Sequence, residues 1–334
     1  MSVLVTGGAG YIGSHMVHGL LDAGEQVVVL DNMSTGFLWA IPDSAHLVVG
    51  DLGDAQRLRS LLARNDVDAI IHFAGSIVVP ESVVNPLAYY LNNTCNSRTL
   101  IQCAVDAGVK HFIFSSTAAV YGMPDSIPVS EDARLEPISP YGSSKLMTEI
   151  MLRDAARAYD VRFVTLRYFN VAGADPRGRA GQSTPHATHL IKVALQAALG
   201  QRPYLEVFGS DYPTADGTCV RDYIHVSDLI GAHLAALKYL RGGGESEVLN
   251  CGYGRGFSVL EVIEAVKSVT GADFDVRLGS RRLGDPAALV AQTTRIADVL
   301  DWRAHYDDLK TIIGHAFSWE RRLMTHHGEA SRTV

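Results

Sequence analysis

The run Thr6-Gly7-Gly8-Ala9-Gly10-Tyr11-Ile12-Gly13 limits what this chain can fold into more than any other stretch. Val3-Leu4-Val5 before it is short and apolar, which reads as a buried strand. Ile12, His15, Met16, Gly19 and Leu20 behind it recur at helical spacing. The glycines therefore fall where a strand turns into a helix. Gly8, Gly10 and Gly13 fit G-x-G-x-x-G, which suits a turn needing φ > 0 and a backbone bare enough to touch a pyrophosphate. The helix behind the turn aims free N–H groups and a partial positive charge at that anion. A second strand over 26–30 ends in Asp31, 18 residues beyond Gly13. An acid at that place accepts hydrogen bonds from an adenosine ribose. No Lys or Arg follows in Asp31-Asn32-Met33-Ser34-Thr35, and an acid without a basic neighbour repels a 2′-phosphate. The expected cofactor is NAD rather than NADP.

Strand and helix then alternate. Strands are expected over 46–51, 69–73, 110–115 and 161–166, and helices over 55–62, 86–107 and 140–159. This rhythm predicts an α/β fold with a Rossmann-type doubly wound parallel sheet over residues 1–166, with ligands beyond the carboxyl ends of its strands. The second half breaks the rhythm. Residues 171–190 read as a long functional loop, 209–217 as a hairpin tip, and a helix is expected from Ser227. Ser258-x-x-Glu261 is a capping box, and segments near 222–252 are expected to rejoin the main sheet. Residues 167–221 and 253–325 are assigned to a smaller C-terminal α/β lobe, and 326–334 to a frayed tail.

Composition closes off other classes. The net charge is −7, unlike a basic nucleic-acid surface or a polybasic membrane anchor. No apolar run approaches the ~18 residues a membrane span needs. Cys95, Cys103, Cys219 and Cys251 are scattered, so buried free thiols in a reducing cytoplasm are expected. With the first strand starting at residue 3, no signal peptide is expected and the protein is placed in the cytoplasm. His186 with His189, His15 with His18, and His326-His327 lack a Cys or carboxylate to complete a set, so no metal is expected.

Tyr141 and Lys145 stand at i and i+4 on a helix start, so both face one way. A phenol with an unperturbed pKa of about 10 is a poor base at neutral pH. A nearby lysine cation favours the phenolate and makes Tyr141 a usable acid/base. Ser115-Ser116-Thr117 end a strand at the same edge, where a hydroxyl can bond the oxygen that Tyr141 protonates or deprotonates.

Thr6-Gly7-x-x-Gly10-x-x-Gly13, Thr117 and Tyr141-x-x-x-Lys145 resemble the extended short-chain dehydrogenase/reductase superfamily. Further motifs narrow the resemblance to the UDP-glucose 4-epimerase family: Asp31-Asn32, His72-Phe73-Ala74-Gly75, Arg167-Tyr168-Phe169-Asn170, Val220-Arg221-Asp222 and Arg281-Arg282-x-Gly284-Asp285. The motifs run in order from residue 2 to about residue 320.

The resemblance implies NAD held by Gly7, Gly10, Tyr11, Ile12, Gly13, Asp31, Asn32, Ser34, Thr35 and Gly36. Asp51 and Leu52 would clasp adenine, and Phe73, Ala74 and Gly75 would line the cleft. Asn93, Ser115, Tyr141, Lys145 and Tyr168 would surround the nicotinamide half. Asn170, His189 and Leu190 would lie at the substrate phosphates, with Arg221 and Arg282 supplying charge for the diphosphate. Asp285 would accept from the uridine ribose and Phe208 would hold the uracil. Tyr141, Thr117 and Lys145 would be catalytic. The implied reaction is 4-epimerisation of a UDP-sugar through a transient 4-keto sugar, by a homodimer built on helices around 86–107 and 141–158.

Three departures are informative. Ser76-Ile77 stands where some members carry a cofactor-contacting lysine. Thr117 replaces a more frequent serine. Leu289 stands where strict glucose/galactose epimerases close the sugar pocket with a tyrosine, which implies room for an N-acetyl group. A UDP-pentose 4-epimerase stays open at this point. A nucleotide-sugar dehydratase or decarboxylase is disfavoured, since Ala118-Ala119 follow Thr117 where a dehydratase needs an Asp-Glu pair. A non-catalytic NAD-binding sensor is the remaining alternative, against which the intact Tyr141-x-x-x-Lys145 speaks.

Overall fold

Strands of nearly continuous apolar residues belong in a sheet covered on both faces, and the chain builds one. The computed structural model describes residues 1–184, 187–282 and 284–330, with side chains as far as residue 325. Strands β1 (Ser2–Thr6), β2 (Gln26–Asp31), β3 (His46–Val49), β4 (Val67–His72), β5 (His111–Thr117) and β6 (Arg162–Tyr168) alternate with helices. These are α1 (Tyr11–Asp22), α2 (Ala55–Arg64), α3 (Val79–Val84), α4 (Pro86–Tyr89), α5 (Asn96–Asp106) and α6 (Pro140–Ala158). Then come β7 (Asn170–Ala172), α7 (Leu190–Ala198), β8 (Leu205–Phe208), β9 (Val220–His225), α8 (Val226–Arg241), β10 (Glu247–Cys251) and β11 (Gly256–Ser258). The last elements are α9 (Val259–Thr270), β12 (Val276–Gly279), β13 (Ala288–Leu289), α10 (Thr294–Leu300) and α11 (Leu309–Ala330). No described helix is long and apolar enough to cross a membrane.

The main sheet has the order β3-β2-β1-β4-β5-β6-β10, every pair parallel. Alternation along each strand sorts its side chains to two cores. Val3, Val5, Val29, Ile71, Ile113 and Val164 face α1 and α8, whereas Leu4, Val28, Ile70, Phe112 and Phe163 face α2, α5 and α6. The strand order reverses between β1 and β4, which opens a crevice at the carboxyl edge. Thr6, Asp31, His72, Thr117 and Tyr168 end their strands there.

The second half forms two small sheets. β9 pairs with β11, β13 and β7, and β8 pairs with β12. Of the segment near 222–252, α8 packs on α1 and β10 joins β6, while β9 stays in the small sheet.

Several expectations are corrected. The helix expected over 86–107 is α4 and α5 joined through a π-helical turn, Tyr90–Cys95, which buries Asn93. Such turns occur mostly as single-turn bulges inside α-helices, frequently at functional sites. A further short helix, α3, precedes it. The strand ending at Ser115 runs on through Thr117. The segment 209–217 is no hairpin tip, because β8 and β9 lie in different sheets. It closes on itself through Tyr212 N–H to the Gly217 carbonyl, with Gly217 at φ +79°. The cap of α8 is His225 rather than Ser227, its ring nitrogen accepting from Ser227 N–H at 3.0 Å. The long 171–190 loop begins as β7 and carries a bridge between Ala174 and Gly181. Cys95 is exposed, unlike the other three cysteines. Residues 326–330, expected in a frayed tail, are the last turn of α11, which continues to Ala330. His186, the side chains of His326 and His327, and residues 331–334 lie outside the described parts.

Candidate active site

The glycine turn is shaped by contacts that forbid side chains. Gly7 has φ +72°, and a Cβ there would lie 2.7 Å from the Ala74 nitrogen. A Cβ on Gly13 would sit 2.0 Å from the Gly7 carbonyl oxygen. Gly10 caps α1 in extended conformation, and no side chain caps that end. The turn is thus an anion cradle at a helix N-terminus. The conformational demand falls on Gly7 rather than on Gly8 or Gly10. Tyr11 and Ile12 open the helix, and the Tyr11 hydroxyl donates to the Gly173 carbonyl at 2.7 Å, tying α1 to the second lobe.

Asp31 is fixed by backbone on both oxygens. They accept from Ala9 N–H at 2.9 Å and Met33 N–H at 2.8 Å. Asn32 donates to Asp51 at 3.1 Å and accepts from Ser34 N–H. Ser34, Thr35 and Gly36 lead back over the turn, where a Cβ on Gly36 would meet the Ala9 Cβ at 2.5 Å. Leu52 is buried beside Asp51, whose other oxygen accepts from Gly53 N–H. Phe73 and Ala74 both donate their N–H to the Thr6 carbonyl, which carries the cleft wall from β4 to β1. Gly75 is closely approached, a Cβ there meeting Asn93 Oδ1 at 3.0 Å and Lys145 Nζ at 3.6 Å.

At the middle of the edge, β5 and α6 bring the hydroxyls and the lysine together. Lys145 is 3% exposed and donates to the Ser115 carbonyl at 2.9 Å. Its Nζ lies 5.0 Å over the Phe114 ring. Burial lowers its pKa to about 8, with Glu149 opposing. Burial pushes the Tyr141 phenol above its usual value, and the Thr117 hydroxyl pulls it back. Thr117 Oγ1 accepts from Ala119 N–H at 3.1 Å, which leaves its own proton free to donate. The Ser115 hydroxyl bonds the Tyr168 hydroxyl. The Phe73 and Tyr168 rings both lie near that of His233, at 4.9 and 6.4 Å between ring centroids. Asn93 is locked by Ser76 N–H at 2.7 Å, the Ser76 carbonyl at 2.9 Å and the Ser144 hydroxyl at 3.1 Å.

Toward the second lobe, Asn170, Gln182, His189 and Leu190 line one cavity with Tyr223, Trp319 and Glu320. Burial lowers the His189 pKa below the ordinary imidazole value, which favours the neutral ring. Arg221 and Arg282 join one cluster. Arg221 pairs with Asp285 at 3.0 Å, and the Arg282 guanidinium lies 3.8 Å over the Phe208 ring. Leu289 lies on β13 directly against Arg221 of β9. β9 links this cluster to the Asn170 cavity, since Arg221 stands two residues before Tyr223 of the cavity lining. His15 and His18 line a different cleft, with Asp22 and Asp175.

Three further groups carry the site without having been assigned roles in the sequence. Glu149 and Arg167 form a buried fork at 2.6 to 3.2 Å beneath β5. Glu149 is four residues beyond Lys145, so helical spacing could have found it. Ser144 holds Asn93. Gln182 donates to His189 at 2.7 Å, and nothing in its sequence neighbourhood marks it.

The model of the NAD dependent epimerase/dehydratase family matches residues 3–252. A UDP-glucose 4-epimerase of Azospirillum brasilense is 58% identical over 98% of this chain and 94% of that protein. Among solved structures, a UDP-glucose 4-epimerase from Brucella ovis in complex with NAD is 44% identical and superposes with TM-score 0.92, covering 95% of this chain and 97% of that one. The UDP-Glc/GlcNAc 4-epimerase from Campylobacter jejuni is 51% identical with TM-score 0.84, over 96% and 99% of the two chains.

Proposed function

The chain belongs to the NAD dependent epimerase/dehydratase family, and we propose how its own residues divide the NAD-dependent 4-epimerisation of UDP-hexoses. Bound NAD supplies an acceptor for the C4 hydride and a donor that returns it. The uncapped N-terminus of α1 with Gly7, Gly10 and Gly13 holds the cofactor diphosphate. Asp31 receives the adenosine ribose, with Asn32, Ser34, Thr35 and Gly36 around it and Asp51 and Leu52 at adenine. Phe73, Ala74, Gly75, Asn93, Ser115 and Tyr168 enclose the nicotinamide half. In domain terms, residues 1–168 with α8 and β10 carry the cofactor, since β6 runs on through Tyr168, and 169–221 with 253–325 carry the nucleotide sugar.

Tyr141 takes the proton from the 4-hydroxyl, and Thr117 donates to the same oxygen. Lys145 uses one N–H on Ser115 and keeps two for the nicotinamide ribose. Its charge favours the phenolate. The 4-keto sugar then turns about its bond to the diphosphate, and Tyr141 returns the proton as hydride reaches the opposite face. Arg221, Arg282, Asn170, His189 and Leu190 grip the phosphates, while Asp285 and Phe208 grip uridine. The observation that carries the reading is the meeting of Thr117, Ser115, Tyr141 and Lys145 at the edge that also bears the glycine turn. Tyr141→Phe should retain NAD and lose ~10²- to 10⁴-fold in kcat; undiminished turnover removes Tyr141 as the acid/base.

We also propose activity on UDP-N-acetylhexosamines, because the pocket residue beside Arg221 is Leu289 rather than a larger ring. The assay is turnover of UDP-GlcNAc; a rate negligible beside that of UDP-galactose sinks it. A homodimer through the helices around 86–107 and 141–158 is supported by exposed Leu87 on α4, Leu91 in the π-helical turn and Met147 on α6. Sedimentation as a monomer at micromolar concentration would contradict it.

A further inference from the structure

The cavity beside Asn170 is held from behind by a chain of contacts through three segments. His189 stands at the N-terminus of α7 and has no side-chain cap. Gln182 Nε2 donates to its Nδ1 at 2.7 Å. A neutral imidazole that accepts at Nδ1 carries its proton on Nε2, so the ring's remaining polar atom is a donor. The Gln182 main-chain carbonyl in turn accepts from Lys192 Nζ at 2.8 Å. Lys192 is paired with Glu320 of α11, both side chains 5% exposed. Trp319, the preceding residue of α11, donates to the Ser183 hydroxyl at 3.1 Å. Its ring packs where a Cβ on Gly181 would lie, at 2.3 Å. Residues 181–183 are therefore pinned by α11 and α7 together.

A buried ion pair is seldom more stabilising than a well-packed apolar pair of the same volume. What this one supplies is a charged donor aimed at the Gln182 carbonyl. We propose that Lys192 and Glu320 are positioning residues for the nucleotide-sugar diphosphate. They fix Gln182, and Gln182 fixes His189 in the tautomer that donates from Nε2–H to a phosphate oxygen. This rests on the reading of His189 as a diphosphate contact. The coupling places an element of the far C-terminal helix behind the substrate grip and outside the cofactor grip. It acts on KM and on affinity for UDP, and it leaves the proton transfer at Tyr141 alone.

The test compares three variants of the full-length protein with bound NAD: His189→Ala, Gln182→Leu, and the double variant Lys192→Met with Glu320→Leu. UDP affinity is read by calorimetry, and KM and kcat with UDP-galactose. Removing a charge-assisted hydrogen bond weakens UDP by about tenfold, expected for His189→Ala and for Gln182→Leu. The double variant should keep its melting temperature while raising KM by about three- to tenfold, with kcat within about twofold. A merely structural pair would instead leave KM unchanged once the core is repacked. If His189→Ala weakens UDP and the other two variants do not, the positioning chain is overturned and the diphosphate contact stands. If His189→Ala changes nothing, the contact itself fails and the proposal with it. Should the double variant not fold, Gln182→Leu decides by the same KM-to-kcat split.

Discussion

The cofactor end and the substrate end of the cleft are built from different materials. At the cofactor end the backbone does the holding. Gly7 and Gly13 leave no space for a Cβ, and both Asp31 oxygens are bound to main-chain N–H groups. Asn93 and Lys145 are buried and locked in place. At the substrate end, long side chains from separate segments do the holding. Arg282 is exposed, and Arg221 finds its partner Asp285 64 residues away. A backbone grip cannot adjust, which suits a group that stays through many turnovers. In the proposed mechanism a grip of long side chains on phosphate and uridine would leave the hexose free, so that the 4-keto sugar can turn over between two hydride steps. The two constructions match a resident cofactor and a substrate held by its ends.

Three changes test that contrast, from the largest expected effect down. Gly13→Ala drives a Cβ to 2.0 Å from the Gly7 carbonyl. The purified variant should carry no NAD and show no activity, read from the nucleotide released on denaturation. A full complement of NAD in that variant would break the backbone half of the comparison. Arg221→Leu should keep its NAD and raise KM by ~10- to 100-fold, because it removes a charge-assisted contact and leaves Asp285 unpaired. Loss of NAD from that variant would mean that the two ends are not separable. Arg282→Leu should cost less, about tenfold in KM, as its guanidinium is exposed.

A fourth change reads stability rather than turnover and concerns Lys145, which sits where the two ends meet. Burial lowers its pKa from 10.5 to about 8. Between those values the unfolded chain binds more protons than the folded one, so stability from this group rises with pH across that window. It is fully present above 10.5 and lost as pH falls through about 8. Lys145→Met should flatten that limb in the cofactor-free protein, by about 3 kcal/mol between pH 8 and 10.5. An unchanged slope in denaturant titrations across the same range would show that the ammonium is better solvated than its burial implies.

The contrast also explains what the sequence could reveal. The cofactor end rests on local patterns: a glycine spacing, an acid at a strand end, and Tyr141 and Lys145 one helical turn apart. Each is readable within a few residues, and the parallel sheet follows from apolar strands alternating with helices. The π-helical turn that buries Asn93 leaves no periodic trace, because one extra residue in a turn looks like an uninterrupted helix. The substrate end depends on pairings between distant segments. Lys192 and Glu320 are 128 residues apart, and Arg221 meets Asp285 only because β13 lies beside β9. The same long-range pairing separates β8 from β9, where Gly209 and Gly217 suggest a hairpin. Loop glycines mark the turn; they do not say which sheet the chain enters next.

The most direct test of a resident cofactor is the fate of the C4 hydrogen. UDP-galactose bearing deuterium at C4 is incubated with the purified protein and no added NAD, and the UDP-glucose formed is examined by mass spectrometry and NMR. The expected result is conversion with the deuterium retained at C4. A dependence on added NAD, or washout of the label into free NADH, would contradict a cofactor that stays bound while the sugar turns.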